Sequence, residues 1–126
     1  MKYLAPYNQF EKNLVEDLQD ILLPINDLDL WKAKVWENTP GVTREWWIVI
    51  ETKDEDEEYE LEGQTPPEAI SQAVEMAISL MKESGFKYKI TFEEDEIDKE
   101  EVIISTANFR DLDVWPNQFI RIKFWK

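Results

Sequence analysis

The stretch TPPEAISQAVEMAISLMKESGFKYKITF, residues 65–92, contains the two periodicities that decide the fold. Its first part carries apolar residues three and four positions apart, which is typical of an amphipathic helix. They are Ile70, Ala73, Val74, Ala77, Ile78 and Met81. Thr65 is predicted to cap this helix, with Pro66 in its first position and Glu68 completing a capping box. Gly85 predicts a left-handed stop at its C-terminus.

After Gly85 the apolar period shortens to two, which indicates a β-strand. One side of the strand would hold Phe86, Tyr88, Ile90 and Phe92, and the other side Lys87, Lys89 and Thr91. Such a helix, followed at once by an alternating strand, predicts a helix packed on one face of a sheet.

The chain begins with a second helical pattern. Asn8 and Glu11 have capping-box spacing, and Pro24 stops the pattern, so a helix is predicted over about 8–22. Its apolar stripe comprises Phe10, Leu14, Leu18, Ile21 and Leu22. This stripe is expected to pack into the core.

Five further segments have the composition and alternation of strands. Leu30–Trp36, Trp46–Glu51 and Glu57–Glu62 are separated by turn residues and predict an antiparallel meander. The second of them is apolar on both sides and is expected in the sheet interior. Val102–Ser105 and Phe119–Trp125 follow near the C-terminus.

The predicted fold is therefore α+β, with element order α-β-β-β-α-β-β-β. We expect a two-layer sandwich in which two helices cover one face of a mainly antiparallel sheet of about six strands. The 126 residues suit a single domain spanning 1–126, because no repeat or linker divides them.

The composition argues against the common catalytic chemistries. The chain has no Cys and no His, and its three Gly cannot form a glycine-rich phosphate loop. Asp54, Asp56 and Glu58 match the spacing of a calcium loop, but Tyr59 and Thr65 replace its Gly and its last Glu. We therefore expect a protein that is not an enzyme and has no cofactor or metal. The alternative is an enzyme that uses carboxylates, Lys or Tyr.

The first ten residues do not resemble a signal peptide, and no run of about 20 apolar residues could span a bilayer. A cytoplasmic location without a membrane partner is the simplest expectation.

The net charge of −14 is concentrated in the middle of the chain, because residues 51–101 contribute −13. Such a field repels nucleic acid and attracts basic surfaces. The predicted acidic contact residues are Asp54, Glu55, Asp56, Glu57, Glu58, Glu93, Glu94, Asp95 and Glu96. The leading hypothesis is a non-catalytic regulatory module that binds a basic protein, as inhibitors, immunity proteins and DNA mimics do.

A second candidate surface lies on the sheet face opposite the helices. Alternation assigns to it the aromatic residues Trp36, Trp47, Phe119 and Trp125, among lysines, arginine and glutamates. Aromatic residues and Arg anchor protein interfaces, so this face could form a homodimer or a larger assembly. Cross-strand Lys–Glu pairs that only stabilise the sheet are the alternative. RNA binding is disfavoured by the net charge.

Overall fold

The computed structural model describes residues 5–38, 45–53, 62–94 and 101–126, with the side chains of all of these except 5–13 and 38. The elements are α1 (Ala5–Asn26), β1 (Trp31–Asn38), β2 (Glu45–Thr52), α2 (Glu68–Glu83), β3 (Lys87–Glu94), β4 (Val102–Ile104), a 3₁₀ helix (Thr106–Asp111) and β5 (Gln118–Trp125). No helix in these ranges is long and apolar enough to cross a membrane.

The strands form one antiparallel sheet in the order β1-β2-β5-β3-β4. The apolar side chains of its buried face pack with those of α1 and α2 in a single core. The predicted α+β class and two-layer arrangement are confirmed.

The predicted meander is wrong. β2 lies between β1 and β5, so no position beside β2 is left for a third consecutive strand. The segment predicted as that strand, Glu57–Glu62, lies outside the described residues except for Glu62, which is not in a strand. The C-terminal strand takes the central position, and Ile120, Ile122 and Phe124 on its core face are all fully buried.

Rows of paired residues fill the core. Ile48, Ile122 and Ile90 are paired across β2, β5 and β3, and each is at most 3% exposed. The buried residues of α2 are Ile70, Ala73, Val74, Ala77, Ile78 and Met81, the stripe that was predicted. Tyr88 differs from the prediction, because it is 42% exposed near the beginning of β3.

Helix α1 is longer than predicted at both ends. It starts at Ala5 instead of Asn8 and continues through Pro24 to Asn26. Ile25 is fully buried, and this burial explains why the helix extends past the proline. Pro24 lies in the last turn, where the loss of one helical hydrogen bond costs less than in the interior.

The predicted start of α2 is also wrong. The helix begins at Glu68 with Pro67 as an extended N-cap that makes no side-chain cap bond. Pro66 cannot be the first helical residue, because a residue that precedes a proline is kept out of the α region. Thr65 instead lies with its Oγ1 3.5 Å from Asp113 Oδ1.

The predicted C-terminal stop is confirmed. Gly85 has φ +88°, its N–H donates to Lys82 O, and the N–H of Phe86 donates to Met81 O. These two bonds form a Schellman motif, which the buried side chains of Phe86 and Met81 reinforce. The motif turns the chain directly into β3.

Two buried threonines provide a prediction about stability. Thr52 is 4% exposed and its hydroxyl has no hydrogen-bond partner among the described residues, whereas the hydroxyl of Thr91 donates to Glu93 Oε2 at 2.9 Å. Thr52→Val is expected to raise the free energy of unfolding by about 1 kcal/mol, and Thr91→Val to lower it by about 1 kcal/mol. Urea denaturation of both variants checks this. A loss of stability in Thr52→Val would show that its hydroxyl is satisfied.

Candidate functional site

β2 and β3, the strands that precede the two acidic segments of the sequence, finish at the same end of the sheet. β2 and β3 are both antiparallel to β5, and Glu51 and Glu93 are both paired with Phe119. The two strands therefore end two strand spacings apart, about 10 Å. Residues 54–61 follow β2 and residues 95–100 follow β3.

We call this end of the sheet the acidic end. Among the described residues it comprises Glu51, Glu93, Glu94 and Glu101. In the sequence, the acidic segments 54–60 and 95–100, which lie outside the described residues, come after β2 and β3. The two segments contain ten acidic residues and one lysine. Seven of the nine predicted acidic residues (Asp54, Glu55, Asp56, Glu57, Glu58, Asp95 and Glu96) lie outside the described residues, whereas Glu93 and Glu94 are described.

The chain returns to the same end after the first acidic segment. Gln64 forms an isolated bridge with Val114, and Asp113 lies beside Gly63. A Cβ atom on Gly63 would lie 3.0 Å from Asp113 Cβ, so the two segments approach closely. The loop before β5 thereby places a further carboxylate at the acidic end.

Lys53, the base that follows β2, binds the C-terminus of α1, which lies at this same end of the sheet because Trp31 is paired with Thr52. Its Nζ donates to Asn26 O at 3.1 Å and to Leu28 O at 2.8 Å. These carbonyls lie at and just beyond the C-terminus of α1, where a cation is favoured by the helix dipole. The base next to the acidic segment is therefore directed back to the helix.

The opposite end of the sheet has a different charge. Lys87 begins β3, Lys126 follows β5, and Lys123 Nζ lies 3.3 Å from Glu45 Oε1. Among the described residues at this end, the bases Lys87, Lys123 and Lys126 outnumber the acids Glu37 and Glu45.

The described acidic residues already have partners within the fold. Glu93 Oε2 lies 2.8 Å from Arg121 Nε, an ion pair in which the N–H is not aligned for a hydrogen bond. Glu94 Oε1 accepts a hydrogen bond from Gln118 Nε2 at 3.0 Å. These two carboxylates therefore make contacts within the sheet at the acidic end.

The face of the sheet away from the helices, which we call the outer face, holds all four predicted aromatic residues. Trp46 faces the core and is 1% exposed, whereas Trp47 faces outward, as predicted. Trp36 is paired with Trp47 and is 53% exposed, while Phe119 and Trp125 are half-buried.

Arg121 is the centre of the outer face. Its Nη2 lies 2.7 Å from Glu101 Oε1, and its guanidinium carbon lies 5.0 Å from the ring centroid of Trp47. Its side chain is 18% exposed, so these contacts are partly shielded from water. Alternation placed Arg121 on this face, but its partners depend on the strand order, which the sequence does not specify.

Glu101 is held ionised by this network. The ammonium of Lys89 donates a hydrogen bond to Glu101 Oε2 at 3.0 Å. This contact, with a smaller contribution from Arg121, lowers the pKa of Glu101 from its ordinary value of 4.5. Partial desolvation of the carboxylate opposes the shift. A carboxylate in this state is a stable acceptor and not a general acid. Lys32 and Glu51 form a further cross-strand ion pair at 3.3 Å.

A shallow depression of about 580 Å³ lies on the outer face over β1, β2 and β5. Its lining includes Trp36, Trp47, Val49 and Phe119. The depression is apolar at its base and has Lys34, Glu37, Glu51 and Arg121 in its walls. Within the described ranges, no three acidic side chains converge in a way that could hold a metal ion.

Comparisons with protein-family models, with curated proteins and with solved structures gave no match to this chain.

Proposed function

We propose that this chain is a non-catalytic, cytoplasmic regulatory module whose acidic end binds a basic surface of another protein. The observation that supports this most directly is the shared pairing of Glu51 and Glu93 with Phe119. Because of it, the strands that precede two acidic segments far apart in sequence finish about 10 Å apart.

The electrostatic consequence favours binding of a cationic partner. Charges of the same sign that are gathered at one end produce a focused field, which raises the rate of encounter with an oppositely charged surface. Nucleic acid and anionic lipid are repelled by the same field. A basic protein surface is the partner class that remains.

The test is capture of partners from a host lysate by the wild-type protein and by Asp54→Lys/Asp56→Lys/Glu96→Lys. These three positions leave Glu93 and Glu94 intact, because both stabilise the sheet. The wild type is expected to retain one stoichiometric protein that is released by high salt. The triple variant is expected to lose it.

A matched control separates the position of the charge from its amount. Asp17→Lys/Glu75→Lys/Glu83→Lys changes the net charge equally at three exposed helix positions. It is expected to retain the partner. Equal loss from both triple variants would show that only net charge matters, and equal retention by both would contradict the role of the acidic end.

The outer face supports a second candidate function, an assembly subunit. The depression lined by Trp36, Trp47 and Phe119 offers aromatic contact area of the kind that anchors interfaces. In this case Trp36→Ala would lower the mass of the wild-type assembly in light scattering, and high salt would not dissociate it. A wild-type protein that is monomeric at tens of micromolar would contradict self-assembly.

A further inference from the structure

One edge of the sheet has free backbone groups beside an apolar groove. The groove has a volume of about 370 Å³ and lies between α1 and β1. Its lining includes Leu23 and Trp36, which are 52% and 53% exposed. β1 is an edge strand, since its only neighbour in the sheet described here is β2.

The hydrogen bonds of Ala33 show which backbone groups face this edge. Ala33 N–H donates to Asn26 Oδ1 at 2.8 Å, and Asn26 Nδ2 donates to Ala33 O at 3.2 Å. Both groups of Ala33 therefore point away from β2. In an antiparallel pair this orientation repeats every second residue, so the N–H and C=O of Val35 and Glu37 point the same way.

The amide of Asn26 occupies the place that one residue of a neighbouring strand would take. It blocks the edge at Ala33 only. No described residue supplies a hydrogen-bond partner for the outward backbone groups of Val35 and Glu37. An exposed strand edge of this kind is a template for an additional strand.

The helix wall of the groove indicates the charge of its occupant. On α1, Gln19 and Leu23 line the groove, and Glu16 and Asp20 lie three residues before them on the same stripe, next to the groove. On β1, Lys34 is the one charged residue among the described residues of the lining, so the two neighbouring carboxylates outnumber it. A lysine or arginine on an added strand could lay its aliphatic stem on Leu23 and direct its charge to these two carboxylates. A second copy of this chain would instead bring another −14 to the contact.

We propose that the free edge of β1 at Val35 and Glu37 binds an extended basic segment of another protein, which adds to the sheet as a strand. Backbone hydrogen bonds would supply the affinity, and side chains alternating between Leu23 and Trp36 would supply the selectivity. The proposal does not depend on the acidic end.

The probe is an octapeptide of alternating lysine and valine with blocked ends. The control peptide has the same sequence with N-methyl groups on two adjacent middle amides, so it keeps the charge, and one blocked amide faces β1 whichever way the peptide is oriented. Calorimetric titration at physiological salt is expected to show that the alternating peptide binds the wild type at least about tenfold more tightly than the control. Slower hydrogen exchange of the Val35 and Glu37 amides should accompany binding.

Val35→Pro removes an outward N–H, which an edge strand tolerates, and is expected to reduce the affinity ratio of the two peptides to about one. Glu16→Lys/Asp20→Lys changes two exposed positions of α1 and is expected to weaken binding of both peptides about tenfold, because the carboxylates that attract lysine are lost. This variant tests the role of the two carboxylates even if Val35→Pro fails to fold. Asp54→Lys/Asp56→Lys/Glu96→Lys is expected to leave the affinity ratio of the two peptides unchanged.

Equal affinities of the two peptides for the wild type, or no binding of either, would overturn the proposal. So would a wild-type dimer that Val35→Pro converts to a monomer, since a second copy would then occupy the edge.

Discussion

Replacing Ile122 with alanine is expected to lower the free energy of unfolding by about 4 kcal/mol. Ile122 is fully buried in the central strand β5, where it is paired with Ile48 on one side and Ile90 on the other. The substitution removes packing from three strands at once and leaves a cavity that the surrounding strands cannot easily close. Denaturant unfolding followed by tryptophan fluorescence measures the loss.

The matched control is Ile103→Ala in the edge strand β4. Ile103 is 71% exposed, so this substitution should cost about 0.5 kcal/mol or less. Similar costs for the two alanine variants would contradict the central position of β5 in the sheet.

The second large effect is expected at Arg121. Arg121→Met should lower the free energy of unfolding by about 2 kcal/mol at pH 7, because Glu93 and Glu101 lose their shared cation and Trp47 loses its guanidinium contact. Lys34→Met removes one charge from the same row of the outer face, at an exposed position, and should cost less than about 0.5 kcal/mol.

The cost of Arg121→Met should depend on pH. The pKa of Glu101 is lowered in the folded state, so its ion pairs stabilise the protein fully above the ordinary value of 4.5 and lose this effect as the pH falls through the folded-state pKa. Lys89 is the largest cause of the lowered pKa and is still present in the variant, so the difference in unfolding free energy between wild type and variant should shrink only in part below pH 4.5. A difference that stays constant down to pH 3 would contradict the ionic role of Arg121.

The sequence predicts helices and faces well in this protein because both follow from local periodicity. The buried stripe of α2 and the left-handed Gly85 were both predictable, since each depends on residues within one helix. The outward orientation of Trp47 and the inward orientation of Trp46 follow similarly from alternation once the covered face is known.

Strand order could not be predicted, because alternation specifies which side chains share a face and not which strands are neighbours. A meander of consecutive strands is the simplest expectation, yet β5 inserts between β2 and β3. The ion pairs of Arg121 with Glu93 and Glu101 depend on this strand order, so they could not be predicted either. Lys53 at the end of α1 was also missed, because the turn after α1 determines its partners.

The start of α2 shows that a local motif can mislead. Thr65 and Glu68 have capping-box spacing, but the second of two consecutive prolines delays the helix until Glu68. The predicted capping box does not form, because the restriction that Pro67 imposes on Pro66 makes Glu68 the first helical residue and not the third.

The candidate site depends both on local sequence pattern and on strand order. The acidic segments are evident in the sequence, while the shared end of the strands that precede them requires β2 and β3 to flank β5. The sequence therefore predicts an acidic protein, and the topology adds that the strands before both acidic segments finish at the same end of the sheet.

The most direct measurement of the proposed function is zero-length carbodiimide cross-linking of the protein to the partner that it captures, with the linked carboxylates identified by mass spectrometry. The account predicts links from the acidic end, at residues 54–58 and 95–96, to lysines of the partner. Links confined to Asp17, Glu75 or Glu83 on the helices would contradict it.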